Sequence, residues 1–174
     1  MGKIQYIEAS QEWICPETGS YKVICVGGGG GGVVGSSGGT TSFGTYLSAG
    51  GGVMTRSILG ASSIGGSGGY TVNGVYGGSG AYLFGSDSSA YLASAVNNGG
   101  HIAQTGIGYG AGGGSNSNYY GKPGELKADI LTLAKDDAVA CTVGTGGTYT
   151  AELSYLFTAG ADGVIIIEFL GTEA

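Results

Sequence analysis

Between Gly27 and Gly121 the chain places 32 glycines in 95 residues and only two formal charges, Arg56 and Asp87. Glycine loses more backbone freedom on folding than any other residue. Inside an ordinary helix or strand it costs about 0.5–1 kcal/mol relative to alanine. Taken over this many positions, the penalty exceeds the roughly 5–15 kcal/mol by which a whole domain is stable. Three solutions are open to such a block: it is disordered, it is locked by dense backbone hydrogen bonding, or neighbouring subunits support it. Each leads away from a catalytic domain and toward a binding or structural protein.

The pattern of the glycines narrows this. Gly74, Gly77 and Gly80 have a period of three, whereas Gly106, Gly108, Gly110 and Gly112 have a period of two. With two prolines in the chain, collagen is excluded. Short extended segments packed side by side, in part polyproline II-like, are compatible with the pattern, because no Cβ keeps their backbones apart. Tyr70, Tyr76, Tyr82, Phe84, Tyr91, Tyr109, Tyr119 and Tyr120 interrupt the block. A disordered linker is poorer in aromatics, so an ordered insert with tyrosines as its few large contacts fits better.

The segments on either side of the block differ in character. Residues 1–26 and 122–174 carry nearly all the charge and alternate as strands do. Lys3 to Ala9 and Glu12 to Cys15 read as short strands, followed by turn chemistry at Pro16-Glu17-Thr18-Gly19. Ser20 to Val26 puts Tyr21, Val23 and Cys25 on one face and Lys22, Ile24 and Val26 on the other. The second face turns apolar toward its end, as in a strand buried on both sides. Glu125 to Leu133 alternates as a strand, with a short helix as the competing reading. Lys135-Asp136-Asp137 is a turn, Ala138 to Val143 a strand, Glu152 to Phe157 a further candidate, and Ala161-Asp162-Gly163 a tight turn. Val164 to Leu170 is the strongest strand, with Ile165 and Ile167 on one face and Val164, Ile166 and Glu168 on the other. Nothing supports a long helix. The expectation is an all-β single domain, 1–174, with a scaffold from 1–26 and 122–174 and a glycine-rich insert at 27–121.

Charge and cysteine content exclude several functions. Charged residues make up 10% of the chain, against a usual quarter, so the surface is wetted by backbone and hydroxyls or buried in an assembly. The net charge is −6 with six basic residues and no basic cluster, which argues against nucleic acid as a partner. Cys15, Cys25 and Cys141 are odd in number and lack metal-ligand spacing, so reduced thiols are expected rather than a disulfide framework. No secretory apolar run opens the chain, and Val164 to Ile167 is too short to span a bilayer. Assembly in a cytoplasm without membrane insertion is expected.

The residues that could carry chemistry are few. Cys25-Val26-Gly27-Gly28-Gly29-Gly30 follows a strand, but a dinucleotide turn needs a helix next. Val33-Val34-Gly35-Ser36-Ser37-Gly38-Gly39 has no helical pattern. His101 with Asp87 and a serine would need a Gly-x-Ser-x-Gly elbow between a strand and a helix, and none sits in that context. Asp136-Asp137 suits a solvated turn better than a calcium loop, and the scattered cysteines do not suit a metal. Threonines without lattice spacing argue against ice binding. No enzyme, no cofactor and no metal is expected. The aromatic residues named above are the candidates for receptor binding, since rings in polar loops give large contact area at low entropic cost and stack on sugars. They equally suit a glycine-rich interior short of other large side chains.

Five segments, in order, carry a family resemblance. Trp13-Ile14-Cys15-Pro16 through Gly19, then Tyr21 to Val26 and the run Gly27 to Gly32, resemble the opening of phage glycine-rich tail-fibre domains. Thr41-Ser42-Phe43-Gly44 with Ser48-Ala49-Gly50-Gly51-Gly52 is similar to the next block. Gly121-Lys122-Pro123-Gly124-Glu125, then Cys141 to Gly147, then Gly160-Ala161-Asp162-Gly163 through Phe169 resemble the later ones. Cys15 and Cys25 stand where family members usually carry Val or Thr. The resemblance implies a jelly-roll-like β-sandwich whose first and last strands pair, with glycine-rich loops displayed from one end. It also implies a virion protein, by analogy a homotrimer, that binds other virion proteins and contacts a host-surface glycan or protein. Decoration of a capsid or tail, with a role in assembly, is the alternative.

Overall fold

The computed structural model describes residues 3–31, 36–53, 109–110, 112, 124–148 and 159–172, and all the regular structure in them is β. Eight strands follow in order: β1 (Ile4–Ile7), β2 (Gln11–Ile14), β3 (Gly19–Val26), β4 (Thr41–Phe43), β5 (Leu47–Ala49), β6 (Leu126–Leu133), β7 (Ala138–Thr142) and β8 (Val164–Gly171). They form two four-stranded antiparallel sheets, ordered β1-β8-β3-β6 and β2-β7-β4-β5. β1 pairs with β8, β2 with β7, β3 with β6 and β4 with β5. The chain is one long hairpin, doubled back at residues 44–46 and rolled into two layers. That is the jelly-roll arrangement, and the first and last strands pair as expected.

The side-chain pattern accounts for the layers. Tyr21, Val23 and Cys25 of β3 and Ile165 and Ile167 of β8 are buried between the sheets, against Trp13, Phe43, Val139 and Cys141 of the facing sheet. Alternate residues Ile24, Val26, Val164 and Ile166 form a second apolar cluster on the outer face of the first sheet. The two central strands are therefore buried on both faces, as their continuous apolar runs require. Trp13 links the aromatic part of the core, with its ring 5.6 Å from both Tyr21 and Phe43, while Tyr21 lies 5.0 Å from Phe169. All three cysteines are buried and free.

Within residues 125–133, where a helix competes, Leu126–Leu133 form strand β6. Strands β4 and β5 were not anticipated, since they lie inside the glycine block. The turn at residues 135–136 is present, with Asp136 at φ 69°. The tight turn read at Ala161-Asp162-Gly163 is not: these residues lie in an extended segment that leads into β8. Glu152 to Phe157 lies outside the described residues.

In an antiparallel jelly roll the β1–β2, β3–β4, β5–β6 and β7–β8 connections all lie at one end. The last three of these are the glycine-rich ones. Past that end, residues 27–31, 36–39, 50–53, 124–125, 144–148 and 159–163 prolong the strands into a bundle of extended segments. Residues 27–31 run through its centre. Gly27 donates to the Glu125 carbonyl (2.9 Å), Gly28 to Gly39 (3.0 Å), Gly29 to Ala161 (2.9 Å) and Gly31 to Ser36 (3.0 Å). The Gly28 and Gly29 carbonyls accept from Gly52 (2.8 Å) and Gly147 (2.7 Å). A β-strand has two bonded neighbours; this segment has five, spread around its axis.

The contacts recur at every third residue. Gly28 and Gly31 donate to positions 39 and 36 of one antiparallel neighbour. A Cβ on Gly27 or Gly30 would strike the carbonyls of Gly50 or Val53, and one on Gly28 or Gly31 those of Thr145 or Thr148. Three residues per turn is the repeat of a polyproline II chain, which makes no internal hydrogen bonds and so offers each N–H and C=O to its neighbours. Of the three solutions open to the glycine block, its described part takes the second, dense backbone hydrogen bonding. Side chains finish the lattice: Thr41 Oγ1, fully buried, accepts from Gly144 N–H at 2.9 Å, and Asp162 Oδ1 accepts from Gly146 N–H at 2.6 Å.

Candidate functional site

The bundle fixes both ends of the stretch 54–108. At the departing end, Gly52 is bonded on both sides, donating to Gly28 and accepting from Gly38, each at 2.8 Å. At the returning end, Tyr109 packs its ring on the outer apolar cluster of Ile24, Val26, Val164 and Ile166. Its hydroxyl donates to Glu8 Oε1. Gly110, at φ 68°, follows, with its N–H on the Asp162 carbonyl and its own carbonyl accepting from Gly124, each at 2.8 Å. Glu8, Tyr109, Ala161, Asp162 and Gly163 line an open cleft of about 320 Å³ beside this anchor.

Of the aromatic residues expected to bind a receptor, Tyr109 is the one the structure describes. It is half-buried and holds the returning end of the insert to the scaffold. Tyr70, Tyr76, Tyr82, Phe84, Tyr91, Tyr119 and Tyr120 lie outside the described residues, as do His101 and Asp87. Among the described residues no three His, Cys, Asp or Glu side chains converge as metal ligands would.

Four groups in and around the sandwich, Tyr21, Cys25, Tyr109 and Cys141, are shifted in the same direction. The hydrogen bond to Glu8, then burial, pushes the Tyr109 hydroxyl up to about 12. Burial first, then the contact with Cys15, pushes Tyr21 to about 12. Burial pushes the Cys25 thiol to about 12 and Cys141 to about 11. A folded state that holds these protons more tightly than the unfolded chain is favoured fully below the unfolded values, about 9 for the thiols and about 10 for the tyrosines. That stabilisation is lost as pH rises through the folded values. Thermal unfolding temperature is therefore expected to fall from about pH 9 toward pH 12. Tyr109→Phe removes one hydrogen bond at a half-exposed site and is expected to cost about 1 kcal/mol at neutral pH. The variant should also show a shallower alkaline decline than the parent; an identical decline would mean that Tyr109 is ionised as easily folded as unfolded.

A second cleft, which the sequence did not single out, opens on the side of the sandwich where both sheets end. Gln5, Tyr6 and Ile7 of β1 and Gln11, Glu12, Trp13 and Ile14 of β2 line about 450 Å³ there. Trp13 Nε1 donates to Gln5 Oε1 across it at 2.7 Å. A tryptophan and a glutamine eight positions apart give no signal until the fold brings the two strands to the same side.

Compared with family models, with curated proteins and with solved structures, the chain matches none.

Proposed function

We propose that this chain is a non-enzymatic bacteriophage virion protein that touches a host-surface glycan or protein through the aromatic residues of its glycine-rich insert. The observation that supports this reading is the double anchoring of the insert. Residues 54–108 leave a hydrogen-bonded bundle at Val53 and return to it at Tyr109, all at one end of a β-sandwich. A receptor-binding loop works best on such a frame, because a scaffold fixed at both ends lowers the entropy lost on binding. Rings set among serine, asparagine and glycine supply contact area and adaptable hydrogen bonds. Such a protein is made and assembled in the host cytoplasm and leaves with the virion.

Attachment to capsid or tail as a decoration is the second reading. It is favoured by exposed apolar side chains on the scaffold itself, Ile4, Tyr6, Ile14 and Ile130 among them.

Fluorescently labelled protein titrated onto a panel of bacterial strains separates the two. Saturable binding to a subset of strains is expected, and Tyr76→Ala is expected to keep the parent's unfolding midpoint while weakening that binding. Absence of binding to every strain, with retention on purified phage particles, favours decoration. Unfolding of Tyr76→Ala would make that tyrosine a packing residue and remove it from the binding surface.

A further inference from the structure

The four edge strands of the sandwich are not treated alike. On one side, β5 and β6 are drawn together: Glu125 N–H donates to the Gly50 carbonyl and Glu125 Oε2 accepts from Gly50 N–H, both at 2.8 Å. β6 also carries exposed Lys127 and Asp129 along its edge. Charges of this kind are how natural sheets discourage edge-to-edge pairing. On the other side the sheets stay apart around the cleft described above. There β2 carries Glu12, but β1 has no charge, no proline and no bulge within Ile4-Gln5-Tyr6-Ile7.

The outward-facing groups of β1 follow from its ladder. Phe169 N–H donates to the Lys3 carbonyl at 3.2 Å, so positions 3 and 169 are a hydrogen-bonded pair. In an antiparallel ladder such pairs alternate. Gln5 and Ile7 therefore turn their backbone groups toward β8, and Ile4 and Tyr6 turn theirs to the open side. The same two residues hold exposed apolar side chains, at 43% and 48% of their full exposure.

We propose that β1 is a self-association edge: a second copy of this chain pairs with it antiparallel, about a two-fold axis through Gln5, with Ile4 opposite the partner subunit's Tyr6. The register is argued from the residues. Two copies joined about an axis normal to the sheet keep their faces aligned only if opposed residue numbers sum to an even number. A sum of 10 sets Ile4 against Tyr6 twice, satisfies all their outward backbone groups, and places the two Gln5 residues on the axis in a non-hydrogen-bonded pair. A sum of 12 would oppose Ile4 to Glu8, whose carboxylate already accepts from Tyr109. A second copy is chosen over a foreign strand because in this register the exposed apolar side chains of β1 cover each other, Ile4 against Tyr6 on both sides of the axis. The pairing joins two four-stranded sheets into one of eight, and brings the two clefts face to face. It does not depend on which ligand the insert binds, and it stands against the homotrimer that the family resemblance implies.

Light scattering and sedimentation of the full chain over a concentration series test this. The expected result is a rise toward twice the 17.0 kDa chain mass. Tyr6→Lys is expected to raise the dissociation constant more than tenfold. Ile4→Pro should do the same, because it removes an N–H used only by the partner while leaving every β1–β8 bond. Ile130→Lys, at a still more exposed apolar residue on the opposite edge, should leave the dimer intact. Under oxidation, Gln5→Cys should form a disulfide-linked dimer, since it faces itself across the axis at a distance a disulfide spans. Ile4→Cys should not. A monomer at all concentrations, a trimer, dissociation by Ile130→Lys but not Tyr6→Lys, or cross-linking through Ile4→Cys in preference to Gln5→Cys would each overturn the pairing.

Discussion

Gly28→Ala is expected to destabilise the protein by about 4 kcal/mol, although most glycine-to-alanine changes at compatible positions stabilise by about 0.4–1 kcal/mol through the unfolded chain. The reversal comes from what surrounds the site. A Cβ at Gly28 would lie inside the van der Waals envelope of the Thr145 carbonyl oxygen, 2.7 Å from its carbon and 2.9 Å from the Gly144 oxygen. These are backbone atoms, and no rotamer change moves them aside. Overpacking alone costs about 1–3 kcal/mol. Here the displaced segments must also stretch the bonds from Gly28 to Gly39 and from Gly52 to Gly28, and a buried group left unsatisfied costs about 1–3 kcal/mol more. Urea unfolding of the purified variant measures the change. The comparison is Gly44→Ala, where φ is +52° and the nearest atom to a new Cβ is the Val139 Cγ1 at 3.0 Å; left-handed strain there costs about 1–2 kcal/mol. If Gly28→Ala were neutral or stabilising, the segments could not be packed backbone to backbone as described.

That bundle also explains which parts of the fold were legible in the sequence. β3 and β8 were readable on both faces, because Tyr21 to Val26 and Val164 to Ile167 are nearly unbroken apolar runs rich in β-branched residues, which mark a strand buried on both sides whatever its partner is. β4 and β5 were not. Each has three residues, too few to show a period, and each is embedded in glycine. Phe43, wholly buried, next to Gly44 at positive φ was the available signal for a hairpin. In the letters of the glycine block a three-residue repeat shows only locally, as at Gly74, Gly77 and Gly80. In the structure the repeat belongs to the contacts between segments. A run in which every residue is glycine, as from 27 to 31, cannot display it in its letters, and the partners stand as far away as Thr148. Ala161-Asp162-Gly163 has the composition of a turn, yet its bonds to Gly29, Gly110 and Gly144 hold it extended. For the site, the glycine block interrupted by tyrosines predicts an insert, while the anchoring of Tyr109 on Glu8 depends on a contact between residues 101 positions apart.

Ile165→Asp is expected to abolish cooperative folding. Ile165 is wholly buried between the sheets, with Ile7 opposite it on β1 and Cys25 on β3. None of these side chains offers a carboxylate a positive charge. An ionised aspartate there carries an effective penalty of several kcal/mol. Protonation avoids part of that, but leaves a polar group among apolar neighbours and still forfeits the isoleucine packing, about 2–5 kcal/mol for truncation at such a site. Together these reach the roughly 5–15 kcal/mol that holds a domain folded. The same change at Ile130, 62% exposed in the same sheet, is expected to stay within about 0.5 kcal/mol. The pair of variants tests the face assignment itself, because a register slip of one residue would exchange inner and outer positions along a strand. Circular dichroism and urea unfolding should give a sharp parent-like transition for Ile130→Asp and none for Ile165→Asp. A sharp transition for Ile165→Asp with a small loss would place that side chain at the surface and overturn the two-layer packing.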